Sequence, residues 1–243
     1  MVHEVTERPP GPRARARQRR LEEILAAGLE LVRTEGIEAL TTHRLAAELG
    51  LAVGALYRYF PSKAALVAAL EGRCLALLGE RLEAVLLATA EVYPPEDAAL
   101  ARLLVLERAY GAFARERPAE FALLGQVLAD PRTLVPGAEG AALMASTLKL
   151  LTRVAGLFAE CERAGLLGPG DALERAVLYW AALRGALGLA KLRAHSSAVD
   201  AERLSMEMAR VLLLGMGAPP ARLARAASVV RGAAAAGAGG TAR

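Results

Sequence analysis

The sequence predicts an all-α fold, and three observations support this prediction. Hydrophobic residues make up 54% of the 243 residues, and most of them are Ala and Leu, which favour helices. Aromatic residues make up only 4%, and long β-branched runs are missing, which argues against a sheet. Apolar residues recur at i, i+3, i+4 and i+7 in segments bounded by Gly and Pro, which is the pattern of amphipathic helices.

Positive charge is concentrated at the two ends of the chain. Six arginines and no acidic residue lie between residues 8 and 20, and four more arginines without an acid lie in residues 221–243. Residues 64–220 carry 16 basic and 18 acidic side chains, a net charge of −2. This distribution favours a small nucleic-acid-binding head on a near-neutral body that has another role.

The N-terminal segment leads into the first helix. Residues 1–12 are rich in Pro and are expected to be disordered. The basic run at 13–20 is interpreted either as an arm or first helical turn that lies along DNA phosphates or reaches a minor groove, or as a solvated flank. A helix is predicted at about residues 15–35, with Gly36 as its C-terminal stop.

Residues 41–60 are predicted to form a helix, a tight turn and a second helix. Thr41 or Thr42 can cap the first of these helices through its hydroxyl, and Gly50 can adopt the left-handed conformation of the turn. The second helix has its apolar face at Leu56 and Phe60 and its outer face at Val53, Gly54, Tyr57 and Arg58. Two short helices with a basic and aromatic outer face suit insertion into a DNA major groove.

Further helices are predicted along the rest of the chain, at about residues 63–88, 96–116, 118–129, 141–164, 171–194, 199–214 and 221–231. The segment at 130–140 is expected to be a loop, and the Gly/Ala-rich segment at 232–241 to be disordered. We therefore expect a disordered N-terminus at 1–12, a DNA-binding domain at 13–62, a helical body at 63–217 and a basic tail at 218–243.

Several classes of function are not supported by the sequence. Cys74 and Cys161 lie in no CxxC motif, so we expect buried, reduced thiols. Three histidines without carboxylate or cysteine partners at ligand spacing indicate no metal site. No catalytic triad, cofactor motif or Gly-rich phosphate loop is visible, so we expect neither an enzyme nor a cofactor.

No secretory signal is visible, and no uncharged stretch exceeds 11 residues. Because a membrane span needs about 20 apolar residues, we expect a soluble, cytoplasmic protein.

One motif is more specific than the helix-turn-helix pattern alone. The run Leu-Tyr-Arg-Tyr-Phe-Pro-Ser-Lys at 56–63 follows Leu-Thr-Thr at 40–42 and Leu-Gly at 49–50. With these motifs, residues 21–66 resemble the DNA-binding region of the TetR/AcrR family of transcriptional regulators. The resemblance implies an all-helical homodimer whose first three helices bind a double-stranded DNA operator. The fourth helix then links this head to a body that holds an effector pocket and the dimer interface.

The resemblance also implies roles for single residues. Tyr57 and Lys63 resemble phosphate clamps, and Thr42 is expected both to cap its helix and to contact a phosphate. Arg58 is expected to contact either a guanine edge or a phosphate, and His43 to contact a phosphate or to be a plain surface residue. The predicted DNA-binding residues are Thr42, His43, Arg44, Val53, Gly54, Ala55, Tyr57, Arg58 and Lys63.

The chain departs from the family pattern at two positions. Ala52 stands where the family often has Ser or Thr, so the recognition helix lacks a side-chain cap that would contribute about 1 kcal/mol. The body resembles a subgroup with a Trp-x-x-His-Gly motif. The matching place here is Trp180-Ala181-Ala182-Leu183-Arg184-Gly185, in which Arg184-Gly185 replaces His-Gly and lies one residue further from the Trp.

These observations predict a ligand-responsive, sequence-specific DNA-binding regulator, and we expect a repressor that a small, largely apolar effector releases from a palindromic operator. The homodimer is expected to form through helices 171–194 and 199–214, where small residues allow close helix packing. The alternative is a helical dimeric interaction protein with a vestigial head. The predicted effector-binding residues are Tyr110, Phe113, Phe121, Leu124, Phe158, Tyr179, Trp180 and Arg184.

Overall fold

The structure is a computed structural model that describes residues 11–89, 91–126, 135, 137–196 and 200–238. Every regular element in these residues is helical, which confirms the all-α prediction. The α-helices are α1 (Pro12–Glu35), α2 (Thr42–Glu48), α3 (Val53–Tyr57), α4 (Lys63–Ala88), α5 (Ala98–Glu116), α6 (Pro118–Leu123), α7 (Ala138–Arg163), α8 (Ala172–Gly188), α9 (Ala201–Gly215) and α10 (Pro220–Ala238). Two short 3-10 helices lie at Ile37–Ala39 and Leu189–Ala194.

The chain divides into two compact units. The first unit contains the described residues up to Arg73 together with those between Ala122 and Leu143. The second contains Cys74–Phe121 and the described residues from Met144 onward. Because α4 begins at Lys63 and ends at Ala88, this one helix contributes to both units.

The first unit is built on a close contact between α1 and α4. A Cβ at Gly28 would lie only 3.1 Å from Leu70 Cδ2, so the two helices approach more closely there than a larger residue allows. Gly36, with φ of +87°, ends α1 in a conformation that favours glycine. The core of this unit consists of Ile24, Leu31, Leu40, Leu45, Leu56, Phe60, Leu66 and Leu70.

The second unit is organised around α5, which contacts α8, α9 and α10. The Tyr179 hydroxyl of α8 donates a hydrogen bond to the Leu103 carbonyl of α5 at 3.0 Å. Arg222 and Arg225 of α10 both pair with the Asp97 carboxylate, at the start of α5. Cys161 is a free, buried thiol, and burial raises the pKa of its side chain to about 12.

Three sequence-based boundaries were wrong. Helix α1 begins at Pro12, so Gly11 and Pro12 are ordered, because Pro is well suited to the first position of a helix. Helix α7 begins at Ala138, inside the expected loop. Helix α10 continues to Ala238, through most of the segment that was expected to be disordered, because alanine has the highest helix propensity. The expected disorder at 1–10 and 239–241 and most of the expected loop (130–134 and 136) lie outside the described residues.

Helix α7 is long and apolar enough to cross a membrane when only length and composition are considered. A single helix of this kind is weak evidence for a membrane protein, because core helices of soluble proteins meet the same criteria. In α7, Leu157, Phe158 and Cys161 are buried in the second unit.

Candidate nucleic-acid interface and effector region

The first helix of the helix-turn-helix is capped by Thr41. Thr41 has extended backbone angles, and its Oγ1 accepts a hydrogen bond from the Arg44 N–H at 3.1 Å. Thr42 is the first helical residue, and its side chain is only 9% exposed. The prediction that Thr42 caps α2 was therefore wrong: the first of the two adjacent hydroxyls has the extended conformation that a cap requires.

The turn and the recognition helix α3 agree with the sequence pattern. Gly50 has φ of +61°, and the Leu51 N–H donates to the Ala46 carbonyl at 2.8 Å. Ala52 is the N-cap residue of α3 and supplies no side-chain hydrogen bond. Because α3 has only five residues and no such cap, its position depends on the burial of Leu56 and Phe60 in the head.

The outer face of α3 is open. Tyr57 is 49% exposed, and Arg58 is also exposed. A Cβ placed on Gly54 meets no described atom within 4 Å, so packing inside the head does not require glycine there. Val53 and Ala55 are half-buried beside this face. The small residues at 53–55 therefore leave room for a macromolecular surface to approach the start of the helix.

Two further groups of basic residues flank α3. Lys63 is the exposed first residue of α4, whose N-terminus is capped by the Ser62 Oγ through the Ala65 N–H at 3.1 Å. On α1, Arg13, Arg15 and Arg19 are exposed. The basic run at 13–20 lies within α1 and is helical, and the Arg17 guanidinium lies 5.5 Å from the centre of the Tyr59 ring.

Arg44 differs from the other predicted DNA contacts because it has acidic partners. Its guanidinium pairs with Glu35 at 2.6 Å and with Glu48 at 3.1 Å. Hydrogen bonding between Arg44 and Glu35 raises the pKa of the guanidinium and lowers that of the carboxyl. A phosphate must therefore compete with these carboxylates for Arg44, whereas the neighbouring His43 is simply exposed.

Four of the eight predicted effector residues form two separate aromatic pairs. In the second unit, Tyr110 packs against Phe121 with ring centroids 5.5 Å apart, and Phe158 meets Tyr179 edge-on at 5.6 Å. Leu124 is buried in the first unit. The buried members of the set are Tyr110, Phe113, Leu124, Phe158 and Tyr179, and the half-buried members are Phe121, Trp180 and Arg184.

A cavity of about 1040 Å³ lies elsewhere in the second unit, between α4, α5 and α7. Seven of its nineteen described lining residues are leucines and eight are polar or charged. Two ion pairs join charged residues of the lining, Arg153 to Glu83 at 2.6 Å and Arg102 to Glu160 at 3.1 Å. None of the eight predicted effector residues is among the described residues that line it. The sequence signal that was overlooked is the pair of glycines, Gly79 in α4 and Gly156 in α7, which both line the cavity.

Helices α8 and α9 pack against each other and expose apolar side chains on their outer faces. Val177 and Leu178 of α8 are 40% and 49% exposed, and Met208 and Val211 of α9 are 40% and 50% exposed. On α8 these residues are followed on the same face by Gly185, at which a Cβ would meet no described atom within 4 Å.

One carboxyl group is buried between α5 and α9. Glu107 is only 3% exposed, and burial raises its pKa to about 7, although Ser205 of α9 acts in the opposite direction.

In the part of the chain that the structure describes, no three His, Cys, Asp or Glu side chains come together as a metal site requires.

Comparison with known proteins identifies related families and folds. The family model of bacterial regulatory proteins of the tetR family matches residues 24–70, and that of the tetracyclin repressor-like C-terminal domain matches residues 103–212. No curated protein sequence matches the chain.

Solved structures share the fold at low sequence identity. A protein of unknown function from Rhodococcus sp. RHA1 is 22% identical, with a TM-score of 0.61 over 79% of this chain and 93% of its own. A tetR-family bacterial regulatory protein from Rhodococcus RHA1 is 22% identical, with a TM-score of 0.56 over 82% of this chain and 97% of its own. SmeT, the repressor of the Stenotrophomonas maltophilia multidrug efflux pump SmeDEF, is 19% identical, with a TM-score of 0.55 over 80% of this chain and 88% of its own.

Proposed function

Because the chain belongs to the tetR family of bacterial regulatory proteins, and is therefore a DNA-binding transcriptional regulator, we propose that it acts as a ligand-responsive repressor. Family membership implies a regulatory rather than an enzymatic protein. Regulators of this family are soluble and typically cytoplasmic, and we propose the same location for this one. The repressor role of SmeT, a structural relative, supports repression rather than activation.

The observation that carries this proposal is the open outer face of α3. Leu56 and Phe60 anchor the helix, while Tyr57 and Arg58 are exposed and Gly54 has free space above it. A face with this composition can approach the major groove closely and contact a base edge through Arg58. We propose that Tyr57, Lys63, His43, Arg44 and the backbone near Thr42 hold phosphates, and that Val53, Gly54 and Ala55 lie against the bases.

The exposed apolar faces of α8 and α9 support a homodimer. A second copy of the chain can cover Val177, Leu178, Met208 and Val211 in a two-fold, four-helix bundle. A two-fold dimer presents two recognition helices to successive major grooves about 34–36 Å apart. We therefore propose a palindromic operator.

Release from the operator is proposed to depend on α4. This helix begins at Lys63, beside the recognition helix, and lines the cavity from Leu75 to Leu87. A small, largely apolar effector that fills the cavity would move α4 and change the spacing of the two heads. A coupling of about 1–3 kcal/mol between effector and operator is typical of such switches.

The proposal is tested by measuring DNA binding with fluorescence anisotropy. The probes are the intergenic DNA beside the protein's own gene and a shuffled duplex of equal length. We expect tight binding to the intergenic DNA only, with an affinity that falls steeply as salt rises. Weak and equal binding to both duplexes would instead support the alternative of a helical interaction protein with a vestigial head.

A further inference from the structure

The buried hydroxyl of Tyr110 lacks a partner. The Tyr110 side chain is only 4% exposed, and its hydroxyl makes no hydrogen bond within the described residues. A buried hydroxyl without a partner destabilises a folded protein, and most such groups are paired. An unpaired hydroxyl of this kind is therefore a candidate contact for a molecule that is absent from the isolated chain.

Two further donors lie close to this hydroxyl. Burial raises the pKa of Tyr110, whereas the charge of Arg184 and the donor groups of Arg184 and Trp180 lower it, which places both α8 side chains beside the phenol. Arginine has five N–H donors and no acceptor, and the indole of tryptophan only donates. Tyr110, Trp180 and Arg184 are therefore three neighbouring side chains that can each donate a hydrogen bond, and we call them the donor cluster.

No carboxylate neutralises Arg184 within the described residues. The Arg184 guanidinium lies 5.2 Å from the centre of the Phe121 ring, and its Nη1 donates to the Phe121 carbonyl at 3.2 Å. Across the described ranges no carboxylate forms an ion pair with Arg184. The neighbours of this positive charge are thus an aromatic face, the Phe121 carbonyl and the Tyr110 phenol, all of them neutral.

The cluster and the cavity share helix α5. Leu106 lines the cavity, and Tyr110 follows it by one helical turn, a rise of about 6 Å. The Phe121 ring packs against Tyr110 and gives the cluster an apolar neighbour. A ligand with its apolar body in the cavity would extend about 6 Å along α5 for an acidic group to reach the donor cluster.

We propose that Tyr110, Trp180 and Arg184 bind a carboxylate on the effector, whose apolar body occupies the cavity between α4, α5 and α7. A carboxylate fits because its two oxygens accept a bidentate pair of N–H bonds from one guanidinium and carry a single negative charge. The inference rests on the proposed function, in which a small effector releases the protein from DNA. It adds the chemical class of that effector.

Isothermal titration of the full-length protein with three probes tests the proposal. The probes are 4-phenylbutyrate, the matching neutral alcohol 4-phenylbutan-1-ol, and acetate. We expect the acid to bind at least tenfold more tightly than the alcohol, and acetate not to bind. Equal affinities for acid and alcohol, binding of acetate at the same strength as the acid, or no binding of the acid would each overturn the proposal.

Three variants assign the two parts of the site. Arg184→Gln should weaken binding of the acid at least tenfold and leave the alcohol unchanged, while Arg184→Lys should retain part of the acid affinity. Gly156→Leu, which fills the cavity, should weaken both ligands alike. If Arg184→Gln bound the acid as the wild type does, the carboxylate site would be wrong.

Tyr110→Phe separates a ligand contact from a structural role. If the hydroxyl contacts the ligand, the free variant should have an unchanged or higher Tm. Its affinity for the acid should be weaker than that of the wild type. A lower Tm with unchanged acid affinity would show a structural role and contradict the proposal. Anisotropy with the intergenic DNA, in the absence of any probe, should give the same affinity for the wild type and for the Arg184 and Tyr110 variants. A loss of DNA binding would therefore be detected separately from a loss of ligand binding.

Discussion

The Arg44 guanidinium lies 2.6 Å from the Glu35 carboxylate and so joins the start of α2 to the end of α1. The Glu35 carboxylate also competes with DNA for Arg44, because a phosphate must displace Glu35 to pair with the guanidinium. Glu35→Gln should therefore raise DNA affinity a few-fold at low salt, measured by fluorescence anisotropy.

Two variants show whether this gain depends on Arg44. Glu30→Gln, which removes the exposed carboxylate that pairs with Arg33 on the same helix, is the matched control and should change DNA affinity little. Adding Arg44→Ala to Glu35→Gln should abolish the gain. A gain that survives in the double variant would show that it comes from removing the Glu35 charge and not from freeing Arg44.

Gly54→Ala should separate DNA binding from folding. The added Cβ meets no described atom, and alanine favours a helix over glycine by about 1 kcal/mol, so the free energy of unfolding should stay equal or rise. DNA affinity should fall at least tenfold, because the methyl group occupies space that we assign to the bases. Gly28→Ala is the matched control: its Cβ would lie 3.1 Å from Leu70 Cδ2, inside the head and away from the face that we assign to the bases, so DNA affinity should stay unchanged.

Lys63 and Arg58 should differ in the kind of DNA binding that they support. Lys63→Ala removes a phosphate contact, so affinity should fall on all duplexes and the slope of log K against log salt should decrease by about one. Arg58→Ala should instead reduce the preference for the operator over shuffled DNA, by about 1–3 kcal/mol if Arg58 reads a base. Equal losses on both duplexes for Arg58→Ala would assign Arg58 to a phosphate.

Glu107 should make the protein less stable as pH rises. Its pKa of about 7 in the folded state exceeds its ordinary value of 4.5, so its full stabilising effect is present below pH 4.5 and is lost by about pH 7. Urea unfolding at pH 5 and pH 7.5 should show a loss of up to about 3 kcal/mol. Glu107→Gln should remove this difference, and an equal pH dependence in the variant would mean that another group titrates.

Asp97 should have the opposite pH dependence. Burial acts to raise its pKa, but hydrogen bonds from Arg225 and Arg222 outweigh burial and lower it below the ordinary value of 3.8. Its stabilising effect is therefore present above pH 3.8 and is lost as pH falls through the lower, folded-state pKa. At neutral pH, Asp97→Asn should destabilise the protein by about 2 kcal/mol.

Limited trypsin digestion provides the structural readout for the Asp97 variant. Cleavage after Arg222 and Arg225 should become faster in Asp97→Asn, because α10 loses its attachment to the start of α5. Arg231→Gln, at an exposed position of the same helix, should leave both the stability and the cleavage at Arg222 and Arg225 unchanged.

Local signals predicted the head well. The start of α4 follows from the Ser62 cap and the preceding proline, and the turn follows from Gly50, because each signal acts over a few residues. The choice between Thr41 and Thr42 could not be made in advance. Two adjacent hydroxyls satisfy the same capping pattern, and only the backbone conformation separates them.

Features that depend on distant contacts were harder to predict. The fold of α10 against α5 depends on an Arg222–Asp97 pair that is 125 residues apart in sequence, whereas composition alone suggested a disordered tail after residue 231. The position of the cavity depends on how α4, α5 and α7 pack, and the positions of aromatic residues in the sequence do not predict that packing. For this reason the aromatic residues chosen from the sequence are mostly buried and do not line the cavity, and the cavity itself was not predicted.

The open face of α3 has an evolutionary consequence. The residues that fix the helix, Leu56 and Phe60, point into the core, while Gly54, Tyr57 and Arg58 do not support the fold. Substitutions on the outer face can therefore accumulate without loss of a stable head. A duplicated gene of this kind can acquire a new operator through a few changes on one short helix, while its effector response stays as it was.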